Sequence, residues 1–148
     1  MRIFKLYPIA IILFMVLSGC NFNRTYLNDE NDKNQAMQVI GKFYYYKGTK
    51  DYDQVFSLFG KQFYQVASKS KLKDIFALTS SRLGDLKDTN IGEWETKRVE
   101  GTDPSAVYEL RYNNTYAKYE ASEIFKLMKE DDGKIMIIYY GIQSEGLK

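Results

Sequence analysis

Apolar residues recur at helical spacing up to Gly84 in this chain and at alternate positions after it. That change of period divides the chain into a helical part and a strand part, because each spacing gathers side chains on one face of its own kind of element. Ala36, Val39, Ile40, Phe43 and Tyr46 define one face of a first helix that runs out near Gly48. A second helix is predicted to start at Asp51 and to bury Val55, Phe56, Phe59, Phe63 and Val66. A third, capped by Ser68 or Ser70, carries Leu72, Ile75, Phe76, Thr79 and Leu83 to the glycine at position 84. Helices followed by an antiparallel meander make an α+β layout, with about three N-terminal helices on one face of a sheet of about four strands.

Strands are predicted over residues 91–99, 106–116, 120–129 and 134–144, separated by Gly101-Thr102-Asp103-Pro104, Ala117-Lys118 and Asp132-Gly133. Asp-Gly between alternating runs is a hairpin signal, because both residues tolerate positive φ. A two-residue turn at Ala117-Lys118 sets Tyr112 opposite Glu123, Leu110 opposite Phe125 and Tyr108 opposite Leu127. Carrying the count through a two-residue Asp132-Gly133 turn adds Met136, Ile138, Tyr140 and Ile142 to that face, which is expected to take the helices. The opposite face then shows Val107, Ile124, Met128, Ile137 and Tyr139, a candidate interface for a protein partner or a second copy of the chain.

The chain of 148 residues is one domain's worth, and 13 tyrosines suit half-buried walls with polar tips. It has no histidine, which removes Ser-His-Asp and Cys-His nucleophile activation and most transition-metal sites, so no cofactor or metal is expected. A single cysteine, Cys20, cannot form an intrachain disulfide. Arg2 and Lys5 precede the short apolar run of residues 9–17, the pattern of a secretory signal too short to span a bilayer comfortably. Removing that leader leaves nineteen basic and nineteen acidic residues, with no basic stripe for nucleic acid.

Leu17-Ser18-Gly19-Cys20 resembles the lipobox of bacterial lipoproteins, which implies cleavage before Cys20 and diacylglyceryl and fatty-acyl groups on that residue. Two or more chains on one residue make a stable membrane anchor. On this reading residues 1–19 are a signal peptide, 20–33 the lipidated cysteine and a flexible polar tether, and 34–148 one α+β domain. Asn21, not aspartate, follows the cysteine, which by the same resemblance implies the outer membrane facing the periplasm.

The order of elements, with Glu123, Phe125, Leu127, Asp132-Gly133, Tyr140-Gly141-Ile142, Leu83-Gly84 and Trp94, resembles small lipoproteins of the nuclear transport factor 2-like superfamily. The resemblance implies a cone of helices wrapped by a curved sheet. It also implies a pocket, which in isomerase-like members works with an acidic base and tyrosine partners. Glu123 is the one charged residue on the apolar face, so Trp94, Tyr112, Glu123 and Tyr140 form the candidate pocket. Two function classes follow. One is a non-enzymatic module that binds a protein partner at the envelope, as an assembly accessory or an immunity or inhibitor protein. The other is a small-ligand carrier or isomerase-like enzyme centred on Glu123.

Overall fold

The computed structural model describes residues 22–148. Five strands form one curved antiparallel sheet in sequential order: β1 (Arg24–Leu27), β2 (Leu86–Glu100), β3 (Ser105–Tyr116), β4 (Glu120–Lys129) and β5 (Ile135–Gln143). Between β1 and β2 run four helices, α1 (Glu30–Gly48), α2 (Tyr52–Ser57), α3 (Lys61–Val66) and α4 (Lys69–Leu83), which pack on one sheet face. The lipobox residues Leu17, Ser18, Gly19 and Cys20 lie outside the described residues.

The polar stretch read as a tether up to Lys33 is instead built into the fold from Arg24 onward. Its Asn and Asp residues do local work. Asn28 takes up positive φ, its amide donates to Thr96 O (2.8 Å), and its Oδ1 accepts from Thr96 N (3.2 Å), closing β1 onto β2. Asp29 caps α1 by accepting from the amides of Asn31 and Asp32. Asp32, on the inner face of the first turn, takes two bonds from Arg98 Nε at 3.1 and 3.0 Å. The guanidinium also covers the Tyr26 ring at 4.1 Å. Linker-like composition here is capping and turn chemistry.

The predicted second helix is two short ones. The chain breaks at Leu58-Phe59-Gly60 because those backbone groups bond to β5: Ile137 N donates to Leu58 O (2.8 Å) and Gly60 N donates to Ile137 O (2.9 Å). Gly60 lies so near β5 that a Cβ there would sit 3.1 Å from Met136 Cβ. Past the break the helical phase is lost, and Val66, expected inside, is 81% exposed. Elsewhere the spacing holds: Ala36, Ile40 and Phe43 are buried on α1, and Leu72, Phe76, Thr79 and Leu83 on α4. Ser68 caps α4, and Gly84 ends it at φ 80°.

Strands β3 and β4 pair as expected, Tyr112 with Glu123, Leu110 with Phe125 and Tyr108 with Leu127. The β4–β5 hairpin differs. Glu130 N bonds to Lys134 O (2.8 Å), so the loop holds Asp131, Asp132 and Gly133, three residues with glycine at positive φ. The extra residue sets Leu127 opposite Ile137, and a bulge at Ile138 then restores Tyr140 opposite Phe125 and Ile142 opposite Glu123. Ile137 therefore points into the core, fully buried, and is not on the outer face. Met136 and Ile138, expected inside, are only half-buried.

The core centres on Phe43, whose ring meets Phe125 at 5.1 Å, Phe76 at 5.7 Å and Phe59 at 6.2 Å, all near edge-on. Each such pair adds about 0.5–1.5 kcal/mol to the area it buries. One turn beyond Phe43 on the same side of α1 stands Lys47, and that position builds the site below.

Candidate functional site

Inward positions of β3 continue past Tyr112 to Asn114 and Tyr116, and those of β4 include Glu123. Glu123 is fully buried. Its Oε1 accepts from Asn114 Nδ2 (2.9 Å) and from the Tyr116 hydroxyl, and its Oε2 accepts from the Tyr140 hydroxyl (2.9 Å). Asn114 Nδ2 also donates to the Tyr44 hydroxyl at 2.8 Å, and Lys47 Nζ donates to the Tyr116 hydroxyl at 3.2 Å. A helix, two adjacent strands and β5 thus each supply one or more members of a single hydrogen-bonded cluster.

Its electrostatics follow from burial. An isolated carboxylate in the interior would cost several kcal/mol, an expense that donors and a nearby cation offset. Burial first, then the Glu123 charge, pushes the phenols of Tyr44, Tyr116 and Tyr140 well above the ordinary tyrosine range. Burial alone pushes Tyr112 up to about 12. Loss of water lowers the Lys47 ammonium from its usual value, and the Glu123 charge partly restores it.

Next to the cluster lies a cavity of about 360 Å³ between α1, α2, α4 and the start of β2. Phe76, Thr79 and Tyr116 form its buried end, together with Tyr44, Lys47 and Tyr52, while Gly48, Lys50, Ser80 and Asp85 stand exposed around it. Glu123 does not line the cavity. It lies behind Tyr116, with both carboxylate oxygens engaged by protein groups. A carboxylate so placed orients the hydroxyls of Tyr116 and Tyr140 and the amide of Asn114.

Of the residues singled out from the sequence, Tyr140 is brought onto Glu123 by a hydrogen bond. Tyr112 is its cross-strand neighbour, with its ring edge-on to Tyr44 at 5.8 Å, and does not bond to it. Trp94 stands apart, half-buried opposite Leu110 with Lys33 Nζ over its ring at 4.6 Å. Four members were missed: Tyr44, Lys47, Asn114 and Tyr116. The β3 alternation already carried Asn114 and Tyr116 to the inner face, whereas Lys47, one turn from Phe43, carries no such signal because a lysine near a helix C-terminus is ordinary.

On the outer face Val107 and Tyr139 are 42% and 48% exposed, and Ile124 and Met128 are half-buried. With Ile137 turned inward, this patch loses one of its five members, and a Lys126–Glu109 ion pair (2.9 Å) lies across it.

Among the described residues no helix is long and apolar enough to cross a membrane, and no group of His, Cys, Asp and Glu could hold a metal ion. No family model matches the chain, and no curated protein matches it either.

Proposed function

We propose that this chain is an envelope lipoprotein, anchored through acyl chains on Cys20, whose nuclear transport factor 2-like domain binds a small ligand non-enzymatically in the cavity beside Lys47. The lipobox spacing of Leu17-Ser18-Gly19-Cys20 supports the anchor, and helices laid on one face of a curved five-stranded sheet support the fold. One observation carries the ligand reading: a buried carboxylate, Glu123, is spent on fixing Tyr116, and through it Lys47, at the inner wall of a cavity that opens to solvent. Preorganised polar groups beside aromatic walls are the make-up of small-molecule sites. The engagement of both Glu123 oxygens argues for a carrier or sensor over an isomerase-like enzyme. A protein partner on the outer face has less support, because that patch is broken by Ile137 and crossed by charge.

A native mass spectrum of the full chain, extracted from its membrane in mild detergent, reads both parts at once. The expected protein has lost residues 1–19, carries acyl-lipid mass on Cys20, and holds further mass that leaves on activation. An unmodified Cys20 would remove the anchor, and a protein bare of any releasable ligand would remove the carrier.

A further inference from the structure

The hydrogen-bond account of the cavity wall does not balance. Asn114 spends its amide protons on Tyr44 and Glu123, and Tyr116 and Tyr140 spend theirs on Glu123. Asn114 Oδ1 is buried without a partner, and Lys47, with three N–H donors, gives one to the Tyr116 hydroxyl at 3.2 Å and makes no ion pair among the described residues. Its ammonium also lies over the ring faces of Phe76, Phe43 and Tyr116, with centroids at 5.4, 5.6 and 5.7 Å. Lys47 is half-buried, and ring faces replace only part of the hydration its ammonium loses. The Tyr44 hydroxyl, which accepts from Asn114, borders the same space.

We propose that the cavity takes an organic anion, a carboxylate on a flat apolar body, with the carboxylate on Lys47 and the body against the rings of Tyr52 and Phe76. The inference rests on the ligand-binding reading above and adds the ligand's chemical class. Lys47 and Lys50 border the cavity against one carboxylate, Asp85, which is exposed, and Glu123 behind Tyr116 acts on Lys47 through its charge but has both oxygens bonded to other donors. Shape favours the proposal. Tyr52 and Phe76 both line the cavity and stack on one another, 15° apart with centroids 6.2 Å from one another, so its apolar side is a rigid aromatic edge with half-buried Tyr52 outermost. An acceptor with two oxygens completes the ammonium's unspent donors, whereas a neutral amide offers one weaker acceptor and a cation offers none.

The test is titration calorimetry of the full chain in detergent, against a micelle blank, with three probes of one shape: 2-naphthoate, 2-naphthamide and 2-naphthylmethylammonium. Naphthoate is expected to bind at least about tenfold tighter than the amide, with the cation weakest. In Lys47→Met the naphthoate affinity should fall to the amide's, with amide binding unchanged, while Lys47→Arg keeps the preference. Amide binding equal to naphthoate in the unaltered protein overturns the inference and leaves the carrier reading standing, and this comparison needs no variant to fold. An anion preference that survives Lys47→Met overturns it as well. Binding of none of the three overturns the inference, while the carrier reading still stands or falls on releasable mass in the native spectrum.

Discussion

Glu123 is the residue on which the cluster depends, and its substitutions separate hydrogen bonding from charge. In Glu123→Gln the remaining oxygen can keep the bonds from Asn114 and Tyr116, but the new amide faces the Tyr140 hydroxyl, whose proton then has no acceptor. We expect a loss of about 1–3 kcal/mol. Glu123→Leu strands all three donors and leaves Lys47 without its counter-charge, for a loss of about 3–5 kcal/mol. Urea unfolding of the two variants checks the order, and a leucine variant as stable as the parent would show that the cluster contributes nothing. At this scale the sequence was legible in part. Glu123 stood out as a charge in an apolar register, and Tyr140 followed from pairing. Lys47 did not stand out, because a lysine near a helix C-terminus has an ordinary reason to be there. Only the packing of α1 against β3 shows that this one turns inward beneath Tyr116.

Elements show where local signals decide and where distant ones overrule them. Period alone placed α1, α4 and the β3–β4 register, since those elements bury one continuous face each. It failed at Phe59-Gly60 because backbone bonds to β5 break the helix there, and at Ile137 because the β4–β5 loop holds three residues and shifts the register by one. It failed again at residues 24–33, where capping residues have the composition of a spacer. Glycines make the contrast measurable. Gly84 has φ 80° and ψ −159°, a region open almost only to glycine, and a Cβ there would sit 3.0 Å from Ala117 Cβ. Gly133 also has positive φ, at 85°, but its Cβ would meet nothing within 4 Å. Gly84→Ala should therefore lose about 1–3 kcal/mol, and Gly133→Asn about 1 kcal/mol or less, since asparagine tolerates left-handed backbone. Thermal melts of both variants test this, and a larger loss at Gly133 would contradict it.

For the whole molecule, the aromatic interior sets the response to alkaline pH. Tyr44, Tyr64, Tyr108, Tyr112, Tyr116 and Tyr140 all hold their phenolic protons more tightly when folded, in each case chiefly through burial, with Tyr108 pushed up to about 12. In the unfolded chain phenols release protons near pH 10 or so. Above that value the folded state binds more protons than the unfolded one, so stability falls as pH rises. Lys47 acts in the opposite sense. Its folded value lies below the unfolded one, so between the two the folded state binds fewer protons and its contribution to stability rises with pH. Six phenols oppose one ammonium, and their windows overlap only at the lower edge. Urea midpoints should therefore change little below the phenol range and drop steeply through it, with tyrosinate absorbance from these residues appearing together with unfolding. In Lys47→Met the shallow rise just below that range should disappear while the steep fall remains. A fall that began well below the phenol range, or tyrosinate absorbance complete in a protein still folded, would mean that the interior does not hold these hydroxyls as tightly as their burial requires.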